Sequence, residues 1–224
     1  LTDLPNRASF LQALAQMIEA CAGTDEEFAV LCVDLDGLKE INDVFGHATG
    51  DKLLIEVAGR IQSSARGGVV ARLSGDEFGL IIDGKQPEAG KALAEKLAQA
   101  LSDEFVIDGK SVRTGITTGI SVFPHHGADA ASLLANSGAA LFRAKQKSRG
   151  SIGIFAPEMD QQIRDRRVLH QDLSMAIRNG ELSLHYQPQA AAGPTVSASK
   201  VIGFEALARW MHPVRGFVSP GEFI

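Results

Sequence analysis

VVARLSGDEFGLII, at residues 69–82, decides the fold of the larger part of this chain. Two apolar runs flank a polar four-residue tip in this segment, a pattern typical of a β-hairpin. Upstream, FAVLCVD at residues 28–34 is a continuous apolar run. It is too short for a buried helix and is typical of a strand covered on both faces. The sequence therefore predicts a sheet with acidic groups at a strand end and at a hairpin tip.

A second hairpin, a further strand and four helices are predicted around these segments. The second hairpin predicted, around residues 105–112, turns at Asp108 and Gly109, a pair that favours a type I′ turn. Residues 117–123 read as a central strand. Hairpins mixed with helical crossovers indicate an α+β domain over about residues 1–156. Apolar stripes with helical spacing predict helices at 7–19, 51–62, 87–101 and 132–147.

Composition excludes several classes of protein. The chain has 224 residues and a net charge of −5, which argues against nucleic acid or an anionic membrane as a partner because both favour basic proteins. No apolar run approaches the ~20 residues that span a bilayer, and no leader is recognised. Cys21 and Cys32 form no CxxC pair, so we expect reduced core thiols and a cytoplasmic protein.

The remainder of the chain predicts a connector and the start of another domain. Residues 157–180 read as a connector helix that stops at Asn179 and Gly180. Two strand-like runs follow, at 182–187 and 201–207, separated by a loop rich in Ala, Gly, Pro and Ser. Two strands without a sheet to join cannot bury themselves, so we expect a piece of a longer protein.

Carboxylates mark the first candidate site. Asp34 and Asp36 lie two residues apart at the end of the first strand, and Asp76 and Glu77 lie at the hairpin tip. If the carboxylates of the strand end and the hairpin tip come together, they would suit Mg²⁺, a hard ion that takes oxygen ligands and is often shared with substrate phosphates. The alternative is that these are an exposed strand terminus and ordinary turn residues.

The neighbouring residues favour a phosphate ligand. Gly37 and Leu38 follow the carboxylates, Lys39 comes next, and Gly75 frees the backbone before Asp76. Backbone N–H groups in a glycine-containing turn can approach a phosphate, and a lysine adds a positive charge. These features together indicate nucleotide chemistry.

Two further pairs could complete such a site. Asn42 and Asp51 suit the donor edge of guanine, although each could instead be a helix cap. Lys145 and Arg149 are four residues apart and share a face if the last helix continues that far. They could hold a triphosphate, or could simply be a basic helix C-terminus favoured by the macrodipole.

Four motifs in order carry a resemblance to a known family. They are LTDLPNR at 1–7, DLDGLKEINDVFGHATGD at 34–51, RLSGDEF at 72–78 and LFRAK at 141–145. Together they closely resemble the GGDEF family of diguanylate cyclases, which condense two GTP molecules into cyclic di-GMP and release two pyrophosphates. The resemblance covers residues 1–156 and implies a central five-stranded mixed sheet wrapped by helices, similar to nucleotide cyclase and polymerase palm cores.

The resemblance also assigns roles to individual residues. It implies that Asp34 and Asp76 bind two ions of Mg²⁺ or Mn²⁺ with help from the Leu35 carbonyl. Glu77 would lie near the ribose 3′-hydroxyl. Each domain would bind one GTP, so cyclisation would need a homodimer. The remaining GTP-binding positions implied are Gly37, Leu38, Lys39, Asn42, Asp51, Gly75, Lys145 and Arg149.

The chain departs from the family pattern at two places. Ser74 replaces the first glycine of the signature, and a Cβ there would cost on the order of 1–2 kcal/mol if the position needs positive φ or close approach of a phosphate. The RxxD product-inhibition motif should fall at 65–68, where the chain reads ARGG, so we expect that feedback site to be absent. The alternative to a cyclase is a GTP-binding regulatory domain with weak or no turnover.

The tail after residue 157, about 65 residues long, resembles the opening of an EAL phosphodiesterase domain, and the start of that domain is predicted at 181–224, after the connector. The matching segments are HYQPQ at 185–189, GFEALARW at 203–210 and HPVRGFVSPGEFI at the end. By resemblance, Gln187 and Arg209 would touch the dinucleotide and Glu205 would be the first metal ligand. A complete EAL domain is a TIM-like barrel, which this incomplete piece cannot close. The fragment should therefore not hydrolyse cyclic di-GMP, and a longer parent protein could be membrane-tethered or act as a phosphodiesterase.

Overall fold

A computed structural model describes residues 1–65, 67–157, 169, 172–191 and 200–223. The chain divides into two compact units, Leu1–Asp160 and Gln161–Ile224. Every helix among the described residues is too short or too polar to cross a lipid bilayer.

The first unit alternates helices with strands and hairpins. Its elements are α1 Arg7–Cys21, β1 Phe28–Asp36, α2 Leu38–Phe45, α3 His47–Ser64, β2 Val69–Ser74, β3 Glu77–Asp83, α4 Glu88–Ser102, β4 Phe105–Ile107, β5 Lys110–Val112, β6 Gly115–Phe123, α5 Ala130–Lys147 and β7 Ile152–Ile154.

Five of these strands form the central sheet, in the order β2-β3-β1-β6-β7. Strand β1 lies in the middle and runs antiparallel to both of its neighbours. The last strand, β7, is parallel to β6. The predicted mixed five-stranded sheet is confirmed.

Both faces of β1 are buried, which explains its continuous apolar sequence. Successive side chains of a strand point to opposite faces. Leu31 and Val33 pack in an apolar cluster with α2, α3 and α4, whereas Val30 and Cys32 pack in a second cluster with α1 and α5. The sheet is therefore enclosed by helices on both sides, and functional groups become accessible only at its edges and strand ends.

The first unit contains two elements that the sequence did not predict. Helix α2 follows Gly37 directly, and β7 supplies the fifth strand of the sheet. The predicted second hairpin exists, but β4 and β5 form a separate two-stranded sheet. Its turn has φ of 51° at Asp108 and 74° at Gly109, consistent with the predicted type I′ turn, which needs positive φ at both central residues.

The second unit contains an antiparallel sheet of three described strands in the order β10-β9-β8. The strands are β8 Leu182–Ala191, β9 Lys200–His212 and β10 Gly216–Val218, accompanied by helical residues 172–179 and Pro220–Phe223. They form no closed barrel. Most of the predicted connector helix and the loop over 192–199 lie outside the described residues.

Trp210 anchors a small apolar cluster in this second unit. It packs with Leu169, Ala176, Val218 and Phe223, and its Nε1 donates to Glu181 Oε2 at 3.1 Å. The indole is therefore fully buried and also satisfied as a donor.

Close packing of β6 against α5 gives a first prediction. A Cβ at Gly119 would overlap the backbone of Ser137 and Leu141 in α5, and backbone atoms cannot escape by changing rotamer. We expect Gly119→Ala to lower the free energy of unfolding by about 1–3 kcal/mol or more. Denaturant unfolding followed by far-UV circular dichroism measures the effect in the helical first unit.

Gly138 provides the matched control because it lies in α5 itself and a Cβ there meets nothing within 4 Å. Gly138→Ala should raise stability by up to about 1 kcal/mol, since alanine is the better helix former. Equal effects of the two substitutions would contradict the packing described here. Fluorescence of Trp210, the one tryptophan of the chain, should change in neither variant until the second unit unfolds.

Candidate active site

The end of β1 and the SGDEF turn are joined through the backbone. Asp34 lies directly opposite Glu77 of β3 and opposite Thr117 of β6. The Leu35 N–H donates to the carbonyl of Asp76 at 3.1 Å. The fold therefore brings Asp34 and Asp76 together, although 41 other residues separate them in the sequence.

Asp34 is an unusually enclosed carboxylate. The residue is only 9% exposed, and Lys145 Nζ lies 2.6 Å from its Oδ1. Burial is the largest effect on the pKa of Asp34 and raises it; the hydrogen bond and charge of Lys145 lower it, whereas Asp76 and Asp36 raise it further. The net direction is upward. Lys145 therefore does not fully offset the burial and negative charge of this site.

Asp36 has different partners from Asp34. The Thr117 hydroxyl lies 2.9 and 3.0 Å from the two carboxylate oxygens of Asp36, and the Gly150 N–H donates to Oδ2 at 3.1 Å. Both carboxylate oxygens of Asp36 therefore have hydrogen-bond partners within the protein. Asp36 binds β6 and the turn after α5, and we do not count it among the candidate metal ligands.

The first turn of α2 faces the same end of the sheet. Gly37 precedes it with φ of 78°, a left-handed conformation in which a side chain would be strained. Leu38 and Lys39 then begin the helix, where the first N–H groups have no intrahelical partner and the helix dipole favours an anion. The predicted phosphate turn thus has suitable local geometry.

A single open cavity of about 200 Å³ joins these groups. Two larger surface cavities, of about 510 and 500 Å³, contain none of the predicted residues, so size alone does not identify the site. The smaller cavity contains most of the predicted metal and phosphate groups together with Glu40, which the sequence did not single out. Its lining comprises Asp34, Leu35, Asp36, Gly37, Leu38, Lys39, Glu40, Asp76, Lys145 and Arg149.

The oxygen donors at this cavity fit a hard divalent cation. Asp34 and Asp76 supply carboxylates, and the adjoining Leu35 carbonyl supplies a neutral oxygen, the ligand types that Mg²⁺ prefers. No set of three or more His, Cys, Asp or Glu side chains suited to a metal occurs within the described ranges. An ion held here would therefore need ligands besides these carboxylates, such as a carbonyl, water or a substrate phosphate.

Asn42 and Asp51 lie at the corner between α2 and α3. A Cβ at Gly50 would overlap Asn42 Oδ1, so the Asn42 side chain lies directly beside the residue that precedes Asp51. Neither residue lines the cavity. Asn42 is four positions after Leu38, a rise of about 6 Å along a helix, so this pair is displaced from the phosphate turn by about one helical turn.

The SGDEF turn itself contains two interactions that the motif did not reveal. The Ser74 hydroxyl donates to Glu77 Oε2 at 3.2 Å. The Arg72 guanidinium donates to the Gly75 carbonyl at 2.9 and 2.6 Å. Ser74 has no positive φ, since the described non-glycine residues with one are Asp3 and Asp108. The backbone strain considered for serine at this position is therefore absent.

The product-inhibition position falls on a turn after α3. Gly67 has φ of 90° there, and Arg66 lies outside the described residues. The chain reads ARGG at 65–68, and the absence of feedback inhibition through this site remains an expectation from the sequence.

The three candidate residues of the second unit share one face of its sheet. Gln187 of β8 lies directly opposite Glu205 of β9. Arg209 follows Glu205 by four residues in the same strand, so both point to the same side. The sheet therefore places these three side chains on one face, with Gln187 beside Glu205 and Arg209 about 13 Å further along β9.

Comparison with known proteins identifies both parts of the chain. Residues 1–151 match the family described as diguanylate cyclase, GGDEF domain, and residues 170–224 match the EAL domain family. A solved GGDEF domain of Pseudomonas aeruginosa TpbB, also called YfiN, is 34% identical with a TM-score of 0.70, covering 73% of this chain and 96% of that one. A sensory box/GGDEF family protein from Caulobacter crescentus is 40% identical with a TM-score of 0.63, covering 66% and 96%.

Two similar proteins are much longer than this chain. An uncharacterized signaling protein of Caulobacter vibrioides is 44% identical over this whole chain, which matches 28% of its length. The bifunctional diguanylate cyclase/cyclic di-GMP phosphodiesterase MucR of Pseudomonas aeruginosa is 40% identical, and the match covers 32% of its length. The chain thus spans about a third of these relatives. Since the GGDEF match covers 151 of the 224 residues, the chain belongs to the GGDEF domain family of diguanylate cyclases.

Proposed function

We propose that residues 1–156 form a diguanylate cyclase domain that binds GTP with Mg²⁺ or Mn²⁺ and condenses two GTP molecules into cyclic di-GMP. The observation that carries this proposal is the junction of Asp34 and Asp76. The hydrogen bond from Leu35 to Asp76 holds the two acidic segments together, and the phosphate turn and Lys145 line the same cavity. Signalling through cyclic di-GMP is the role common to the family.

Asp34, Asp76 and the Leu35 carbonyl would hold the metal. Such an ion, when bound, would stabilise charge on the attacking and leaving oxygens of the transferred phosphoryl group. Burial and the charge of Asp76 raise the pKa of Asp34, so the carboxylates at this site favour a nearby cation. Lys145 supplies one positive charge at 2.6 Å, from a position that also faces the cavity.

The other residues would bind and orient the nucleotide. Lys39, Lys145 and Arg149 would neutralise the phosphates, with N–H groups from the turn at Gly37 and Leu38. The flexible backbone at Gly75 would allow close approach on the opposite side. The guanine edge would be recognised by Asn42, which can donate and accept, and by Asp51, which accepts only.

The reaction requires two copies of the chain. The 3′-oxygen of one GTP attacks the α-phosphorus of the other, a new P–O bond forms, and the bond to pyrophosphate breaks. Glu77 would accept the proton of the 3′-hydroxyl, from a position opposite Asp34 in the sheet. Two such attacks close the ring and release two pyrophosphates. Because one domain binds one GTP, we propose a homodimer with the two sites facing each other.

A second candidate function is regulatory. The Ser74 hydroxyl donates to Glu77 Oε2 at 3.2 Å, so one oxygen of the proposed base is already occupied. The domain could then bind GTP without turnover and control an EAL phosphodiesterase in a longer protein, where Gln187, Glu205 and Arg209 would bind cyclic di-GMP and a metal. MucR is named for both activities and the Escherichia coli relative PdeR as a phosphodiesterase.

Removal of one proposed metal ligand tests the cyclase directly. Asp76→Asn should reduce cyclic di-GMP formation from GTP and Mg²⁺ by at least about 100-fold, because a lost metal contact costs several kcal/mol and each 1.4 kcal/mol is tenfold in rate. The product is measured by chromatography. Asp83→Asn, at the exposed far end of β3, is the matched control and should retain activity.

The outcome distinguishes the two candidate functions. Activity that survives Asp76→Asn would exclude the proposed metal site. GTP binding by the unmodified chain without any product, in both magnesium and manganese, would leave the regulatory function.

Burial of Asp34 predicts a conflict between stability and activity. Asp34→Asn removes a carboxylate whose pKa is raised mainly by burial, so the variant should be more stable than the wild type at neutral pH without metal. Addition of Mg²⁺ with a GTP analogue should then raise the melting temperature of the wild type but not of the variant. Thermal unfolding by circular dichroism measures both effects, and a less stable variant would contradict this account of Asp34.

Ser74 gives a test of the signature variant. Ser74→Ala and Ser74→Gly both remove the hydroxyl that binds Glu77, and each should raise kcat several-fold to about tenfold, since a hydrogen bond contributes about 0.5–1.5 kcal/mol and each 1.4 kcal/mol is tenfold in rate. An increase only in Ser74→Gly would assign the effect to the Cβ. Unchanged rates in both variants would show that Ser74 does not limit turnover.

A further inference from the structure

Asp36 lies in sequence between the residues proposed for metal and phosphate binding, yet both of its carboxylate oxygens have hydrogen-bond partners within the protein. Thr117, which is fully buried, places its hydroxyl 2.9 and 3.0 Å from the two carboxylate oxygens. The Gly150 N–H donates to Asp36 Oδ2 at 3.1 Å and is also 3.0 Å from Thr117 Oγ1. Three parts of the chain that are far apart in sequence meet at this carboxylate.

The turn held by Asp36 is the one that carries Arg149. Gly150 has φ of 78°, so the chain reverses there between α5 and β7. The hydroxyl of the next residue, Ser151, donates to the Ala144 carbonyl at 3.0 Å. Strand β7 then pairs with β6 from Ile152 onward. Asp36 therefore fixes the backbone immediately after Arg149.

Among the described residues, no close ion pair fixes the side chain of Arg149. Its recorded ion pair with Glu40 is 3.7 Å long, and the two side chains are 67% and 65% exposed. Such exposed pairs contribute little to stability or to orientation. The position of the guanidinium relative to the phosphate turn thus depends mainly on where the backbone of the turn is held.

We propose that Asp36 is a positioning residue that holds the α5–β7 turn, and with it Arg149, beside the phosphate-binding turn at Gly37–Lys39. This inference rests on the proposed binding of GTP in the cavity. Asp36 contacts neither nucleotide nor metal in this role. It acts through the Gly150 amide, and the buried Thr117 hydroxyl keeps its carboxylate in place.

Nucleotide affinity separates positioning from a general structural role. The complete chain is titrated calorimetrically, in Mg²⁺, with guanosine 5′-(α,β-methylene)triphosphate, which cannot release pyrophosphate, and with GMP. Asp36→Ala should lower the affinity for the triphosphate about tenfold, as expected for a lost contact to a charged group. Its affinity for GMP should change less than twofold. Asp25→Asn, before the opposite end of β1, controls for loss of one negative charge.

A double substitution tests whether Asp36 acts through Arg149. In an Arg149→Ala background, Asp36→Ala should add less than a twofold loss, because the contact that it positions is already missing. A full additional tenfold loss would contradict the proposal, as would an equal loss of triphosphate and GMP affinity.

Thr117 supplies a second test that does not depend on the folding of Asp36→Ala. Thr117→Val keeps the shape but removes the hydroxyl and should lower the affinity for the triphosphate severalfold. Thr117→Ser keeps the hydroxyl and should bind the triphosphate with the affinity of the wild type. Amide exchange at Gly150 should accelerate in Thr117→Val and stay slow in Thr117→Ser. If the wild type binds the triphosphate but none of these variants changes its affinity, the positioning role of Asp36 is excluded and the proposed GTP binding stands. If the wild type binds no triphosphate, both the proposed GTP binding and the positioning role of Asp36 are excluded.

Discussion

Enclosure of Asp34 at the end of a strand covered on both faces is the constraint on which the site depends. Strand β1 has an antiparallel neighbour on each side, so the register that pairs its apolar residues also places Asp34 opposite Glu77 and opposite Thr117. A buried carboxylate is costly unless it is paired. Lys145 pairs it, and the proximity of Asp76 increases the cost again. The site is thus destabilising for the protein alone, and we propose that a bound cation would offset this cost.

The antiparallel sheet concentrates the remaining chemistry at the same edge. Hairpin β2–β3 returns its tip to the end of β1, and the turn from α5 into β7 arrives beside it because β7 pairs with β6. Backbone hydrogen bonds, from Leu35 to Asp76 and from Gly150 to Asp36, connect these segments. Backbone contacts between strand ends hold the segments of the proposed site in place, which would suit phosphoryl transfer, where positioning supplies much of the rate.

Local sequence predicted most elements and failed where their form depends on distant partners. Helix α1, strand β1 and the hairpin around SGDEF were predicted because their apolar patterns are long and regular. Helix α2 has eight residues, of which only Leu38 and Ile41 are buried, and β7 has three, too few for a periodic signal. Asp36 looked equivalent to Asp34, since its partners Thr117 and Gly150 are 81 and 114 residues away and only the sheet register brings them close. The grouping of Asp34, Asp76 and Lys145 was expected from the family motifs, whereas Glu40 and Arg72 gave no comparable signal.

The two units differ in how completely they bury their own apolar surface. This difference favours an enclosed binding site in the first unit over one in the second. The first unit covers both faces of its sheet with helices and leaves its strand ends for function. In the second unit, Leu184, Tyr186 and Phe204 are 57%, 63% and 66% exposed on the described strands. Gln187, Glu205 and Arg209 share a face there, but among the described residues no further strand surrounds them. A three-stranded open sheet offers one wall of a binding site, whereas the cavity at Asp34 and Asp76 has walls from the sheet, α2 and α5, and reactivity in this chain is therefore assigned to the first unit.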